Sequence, residues 1–159
     1  MIKITQTKVV VKDSNGNIVV YGNCMAAAIA SLLELPIEEV PNIEVFYRLK
    51  KNRAFYHAVI DTWLNSQNLE LISADEFKCF HDDMVLSVYL RGDDETIDEC
   101  RVRLRVELKD KYYLVSGLSF RGVHHICIYQ NGVMVHDPHP TREGLISLSD
   151  FQTIEQIKY

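Results

Sequence analysis

Residues 24–35 read Cys-Met-Ala-Ala-Ala-Ile-Ala-Ser-Leu-Leu-Glu-Leu, a helix-forming run with four alanines, and Pro36 ends it. Alanine loses no side-chain entropy in a helix and leaves little bulk on the helix surface. Neighbours can therefore pack closely against most of its faces, and the run is predicted to be a central, buried helix. Whatever else the chain builds must be laid around it.

The remaining signals are mostly β. Residues 8–11 and 18–21 are β-branched runs separated by Asp13-Ser14-Asn15-Gly16-Asn17, a turn of the Asn-Gly type, and they predict a hairpin. Residues 36–41 predict a short helical turn, and residues 54–67 an amphipathic helix with Phe55, Val59, Trp63 and Leu64 recurring near helical spacing, Trp63 in the core. Strands are predicted at residues 69–72, 84–90, 112–115, 125–129, 133–136 and 145–148, with a second Asn-Gly turn at Asn131-Gly132. Residues 101–108 alternate charged and apolar side chains, as a half-exposed strand would; a helix from Glu95 is the alternative. Helices followed by a mostly antiparallel sheet define the α+β class. At 159 residues, with no repeat and no Gly-, Pro- or Ser-rich linker, one domain spanning 1–159 is expected.

Composition narrows the partners. Twenty-two acidic against 17 basic residues give a formal charge of −5, and no basic run offers a footprint for nucleic acid or an anionic membrane. The longest apolar-rich run, residues 24–33, is too short to span a bilayer. Residues 1–6 carry no basic start followed by an apolar stretch, so a cytoplasmic location is expected. The four cysteines form no CxxC pair, which argues against a zinc knuckle, and a reducing compartment argues against a disulfide framework. Cys79, Cys100 and Cys127 read as small buried hydrophobes.

Cys24 reads differently. It follows Gly22-Asn23 and opens the alanine-rich helix, where unsatisfied backbone N–H groups favour a thiolate, the nucleophilic form. A thiol nucleophile needs a base, and the base needs an orienting group. Residues 122–140 supply both: His124 or His125 opens one predicted strand, and His136-Asp137 closes the next. The turn at Asn131-Gly132 makes His125 and Asp137 cross-strand neighbours, which suits a hydrogen bond between them. Adjacent strand residues face opposite ways, so only one of His124 and His125 can face Cys24. His124 is expected on the far side, packed or in solvent.

A cysteine at the start of a buried helix, then a histidine opening a hydrophobic strand, then Asp-Pro, resembles the papain-like cysteine peptidase superfamily. The nearest likeness is to its compact bacterial and phage branch, the C39-like bacteriocin-processing peptidases. Cys24-Met-Ala-Ala-Ala, His125-Ile-Cys-Ile-Tyr and Asp137-Pro138 match the motifs of that group. The resemblance implies a papain-like fold, with the nucleophile's helix packed on a mostly antiparallel sheet. It also implies hydrolysis of a peptide or amide bond through a thioester acyl-enzyme, with no cofactor and a peptide or protein as substrate. Cys24 would attack, His125 would move the proton and Asp137 would orient the imidazole. Family members place a glutamine before the cysteine as an oxyanion donor, and Gln6 is the corresponding residue. It lies eighteen positions upstream of Cys24, a longer gap than the family usually shows, with the predicted hairpin between them.

Other outcomes use the same residues. The thioester could pass to an amine or be used for deamidation, and the substrate could be a peptide, a peptidoglycan stem, a ubiquitin-like tail or a small amide. His124, His125, His136, Asp137 and His139, with Cys24, are dense enough to ligate zinc. A binding module on the same fold would leave Cys24 unreactive. His136 and His139 flank Asp137 and support it or line the cleft, while His57 and His81 read as structural or solvated. Asp82-Asp83 and Asp93-Asp94-Glu95 lack the spacing of a calcium loop and read as solvated turns. The acidic balance weakly disfavours acidic substrates.

Overall fold

The computed structural model of the protein describes residues 1–42, 53–73, 106 and 108–157. The expectations for Cys79, Cys100, His81, the two acidic clusters and the strand at 84–90 lie outside the described residues. So does most of the segment 101–108.

A two-stranded antiparallel hairpin comes first, β1 (Val11–Lys12) and β2 (Ile18–Val20). It is shorter than the β-branched runs predict, because residue 8 is drawn off to the base of the loop: the Lys8 N–H donates to the Asn23 side chain at 2.9 Å. The alanine-rich run is α1 (Cys24–Leu33). It stops before Pro36. Glu34 turns left-handed at φ 58°, and its N–H bonds back to the Ala30 carbonyl, so the helix is closed two residues before the proline. A 3-10 turn (Ile37–Glu39) and the helix α2 (Arg53–Asn65) follow, the latter burying Ile60 and Leu64, with Trp63 half-buried and packed against the same core.

The sheet contains β3 (Leu69–Ser73), β4 (Tyr112–Ser119), β5 (His124–Gln130), β6 (Val133–His136) and β7 (Leu145–Gln156) in the order β3-β7-β4-β5-β6. Every neighbouring pair is antiparallel. The fold of the described residues is therefore α+β with an antiparallel sheet. β7 runs eight residues past the predicted 145–148, because it lies between two strands, β3 and β4, that satisfy its backbone on both sides. Its polar-rich second half still sends Phe151 and Thr153 into the interior.

Both sheet faces are covered. On one, α1 lies against β5, and Ala26, Ala28, Ile29 and Ala30 join Leu114, Ile128, Ile60 and Leu64 in a core flanked by Ile126. On the other, Tyr113, Val115, Cys127, Tyr129 and Phe151 form a second core with Leu108. Burial on two faces makes β5 a near-continuous apolar run instead of an alternating one. No helix among the described residues is long and apolar enough to cross a membrane.

Candidate functional site

Cys24 is the first residue of α1 and is half-buried. The residue before it, Asn23, does not cap the helix with its side chain. Its amide instead closes the base of the hairpin, accepting from Lys8 N–H and donating to Thr7 Oγ1 at 2.9 Å, while the Asn23 N–H reaches the Lys8 carbonyl at 3.2 Å. This clip brings Gln6 to Cys24 across the intervening hairpin.

The segment before the hairpin is a strap held at several points. Ile4 N–H bonds Ser31 Oγ on α1, the Ile4 carbonyl bonds His136 Nε2 at 2.8 Å, and Gln6 N–H donates to the Pro138 carbonyl at 2.8 Å. The buried Gln6 side chain donates from Nε2 to the Lys8 carbonyl at 2.9 Å, which sets the orientation of its amide. Gln6 Oε1 is buried with no partner among the described residues.

His125 and Asp137 meet, but not as a directly opposed pair. The β5–β6 ladder pairs Gln130 with Val133 and Tyr129 with Met134, then slips so that Ile128 faces His136. Without that bulge the register would set Asp137 opposite Ile126, on the face that packs against α1. The extra residue moves Asp137 to the face of His125 and Cys127, since a one-residue slip exchanges faces. The contact is then diagonal, with His125 Nε2 at 2.6 Å from Asp137 Oδ1. That oxygen also accepts from His139 N–H at 2.7 Å, and Oδ2 accepts from Gly144 N–H at 2.8 Å. Gly144 has φ +72°, and Gly117, opposite His125 on β4, passes β7 so closely that a Cβ would strike the Ser147 carbonyl.

This environment sets the protonation states. Burial pushes His125 down, but its hydrogen bond to Asp137, then the Cys127 and Cys24 thiols, outweigh that and raise the imidazole to about 11. Burial pushes Asp137 up, while His125 and the two backbone N–H donors bring it down to about 2. With the carboxylate accepting, Nε2 donates its proton to Asp137, and the thiols of Cys127 and Cys24 interact with the same imidazole. Cys127 is fully buried, and burial raises its pKa, whereas Cys24 borders open space. The sequence reading missed the Cys127 contact, although spacing i, i+2 from His125 on a strand puts both on one face.

Cys24, Gln6 and His125 line a cleft of about 230 Å³, with Val10, Lys12 and Gly22 on the hairpin side and Arg121, Val123, His124 and His139 opposite. His124 is exposed and borders this cleft rather than the far side, because it begins β5 where the strand leaves the loop. His139 stands perpendicular to His125 with ring centroids 6.0 Å apart, and its Nδ1 is engaged by Thr141. Neither Lys12 nor Arg121 carries a local sequence signal.

The alternative zinc cluster of His124, His125, His136, Asp137, His139 and Cys24 is not brought together as one set of free donors among the described residues. His136 is engaged by Ile4, and His139 by Thr141. Side-chain donor atoms of His125, Cys127 and Asp137 do lie within 4.8 Å of one another. An ion among them would have to break the hydrogen bond between His125 Nε2 and Asp137 Oδ1. No protein-family model, no curated protein and no solved structure matches this chain.

Proposed function

We propose that the protein is a papain-like cysteine peptidase or amidase acting through Cys24, His125 and Asp137, with Gln6 as oxyanion donor. The carrying observation is the shared cleft: Gln6, Cys24 and His125 line one space, and Asp137 sits 2.6 Å behind the imidazole. With His125 already holding the proton as imidazolium, the Cys24 sulfur bonds the carbonyl carbon as thiolate and the carbonyl π pair moves onto oxygen. Gln6 Nε2 has a second N–H beyond the one given to Lys8, and with the Cys24 backbone N–H it stabilises that oxyanion. Collapse breaks the C–N bond, the amine leaves with the proton from His125, and water then hydrolyses the thioester. Attack on the thioester by an amine gives transamidation through the same residues; where Cys24 attacks a side-chain amide, ammonia leaves with the proton from His125 and water hydrolyses the thioester to the acid, which is deamidation.

The test is alkylation of the native protein with iodoacetamide, read by mass spectrometry at each cysteine. Cys24 is expected to react at least about tenfold faster than Cys127 and to slow by a similar factor in His125→Ala. A Cys24 rate unaffected by His125→Ala would sink the proposal, as would a substrate hydrolysed equally well by Cys24→Ala.

A further inference from the structure

The cleft contradicts the charge of the chain around it. With a formal charge of −5, the protein as a whole repels anions, yet among the described residues no acidic side chain lines this space, while Lys12 and Arg121 do. We infer that the cleft selects substrates carrying a carboxylate beside the bond presented to Cys24, with Lys12 as its main cationic contact and Arg121 as the second. This rests on the thiol chemistry proposed above and reverses the weak expectation drawn from overall composition.

The two cations are unequal. Lys12 Nζ donates only to a neutral group, the Gly122 carbonyl at 3.3 Å, and has no ion-pair partner among the described residues. That bond also ties the hairpin to the loop opposite, holding the ammonium at the cleft's edge. Arg121 is partly shared, with Nη1 3.5 Å from Glu143 Oε2 and 3.3 Å from Thr141 Oγ1. His139 adds no fixed charge at neutral pH, since burial lowers its pKa and Nδ1 accepts from Thr141 N–H. The carboxylate of Asp137 is enclosed behind His125, hydrogen-bonded at both oxygens and paired with the imidazolium of His125, so these two charges offset each other and leave Lys12 in the open space without an ion-pair partner among the described residues. A charge of one sign in a concave, low-dielectric wall concentrates counter-charged ligands. In about 0.15 M salt, distant acids are screened beyond about 8 Å, and the local cations prevail.

The experiment compares iodoacetate, an anion, with iodoacetamide, its neutral analogue, at Cys24 of the whole protein. The rate ratio is divided by the same ratio for N-acetylcysteinamide, a neutral free thiol. A normalised ratio of about ten is expected, falling by more than half in Lys12→Gln, less in Arg121→Gln, and below one in Lys12→Glu. Lys111→Gln, which removes the same charge from a lysine paired with Glu155 on the sheet, should leave the ratio in place. A normalised ratio near one, or one insensitive to both cleft substitutions, overturns the selectivity and leaves the thiol chemistry standing. Failure of Cys24 to react with either reagent overturns both. Two peptidyl acyloxymethyl ketones then separate the carboxylate's source. One carries glutamate beside the ketone, the other alanine there and a carboxylate on the leaving group. Faster labelling by either than by its amide counterpart supports the inference, and labelling no faster by both refutes it.

Discussion

The wall of the cleft that carries His125 and Asp137 belongs to a five-stranded sheet, whereas the wall that carries Gln6 and Lys12 is a strap and a two-stranded hairpin. On the sheet side both ionisable groups are almost wholly enclosed, at 3% and 2% exposure, and both carboxylate oxygens are satisfied. On the hairpin side most residues are exposed, a few clips fix the chain, and a buried amide oxygen lacks a partner among the described residues. On the proposed mechanism, proton handling falls to the wall whose geometry is fixed by the sheet and whose polar groups are paired. Charge and spare donors have been put where the backbone is lightly held.

The largest effect expected from breaking this division is on the sheet side. Asp137→Asn leaves a buried imidazolium without its counter-charge, at a cost of about 3–5 kcal/mol. The pH dependence follows from the two shifts. His125 is raised from its ordinary 6.5 to about 11, so its contribution is complete below 6.5 and fades as pH rises toward 11. Asp137 is lowered from 3.8 to about 2, so its contribution is complete above 3.8 and fades as pH falls toward 2. Urea unfolding of the native protein and Asp137→Asn should therefore differ most between about pH 4 and 6.5. A flat difference across pH 4 to 10 would show that the pair is not charged in the folded state.

Gln6→Ala asks the complementary question. It removes one bond to the Lys8 carbonyl but also the unpartnered oxygen, so stability should shift by less than about 1 kcal/mol. Turnover, or labelling by a peptidyl ketone that passes through a tetrahedral centre, should fall about 10²–10³-fold. A large stability loss with intact labelling would make Gln6 a structural residue and erase the contrast between the walls.

How much of this was readable in advance differs between the walls. The sheet side was legible: the Asn131-Gly132 turn, the apolar run from His125 and the Asp137-Pro138 pair are local signals. What the sequence did not disclose was the bulge at Ile128, which alone decides that Asp137 faces His125 and not α1, because bulges leave no compositional mark. Helix α1 was legible from its alanines, but its end was not; a left-handed Glu34 has no propensity argument in its favour. The hairpin was legible as a hairpin. Its function as the path that returns Gln6 to Cys24 depends on Asn23 bonding to residues sixteen and fifteen positions away, and long-range clips are invisible to periodicity.

Asn23 is accordingly the next place to press. Asn23→Ala removes the acceptor for the Lys8 N–H and the donor to Thr7 Oγ1, at about 1–3 kcal/mol. If the clip exists to place Gln6, peptidyl-ketone labelling should fall several-fold further than iodoacetamide alkylation, which needs no oxyanion donor. Equal losses for both reagents would mean that Asn23 supports Cys24 itself.

The smallest expected effect compares two glycines, one from each wall. Gly16 at the hairpin tip has φ +82° and nothing within 4 Å of the place an added methyl would take, and Gly144 has φ +72° with Met134 Sδ at 3.0 Å from that place. Left-handed backbone costs an alanine about 1–2 kcal/mol at either position. Met134 is flexible and can yield, so the stability losses of Gly16→Ala and Gly144→Ala should be similar. Their consequences for the site should not be, because Gly144 N–H is one of the three donors on Asp137. Thermal unfolding and Cys24 alkylation measured together should show Gly144→Ala slowing the thiol, with Gly16→Ala leaving its rate unchanged. Equal slowing by both would place the hairpin tip in the same rigid unit as the sheet wall.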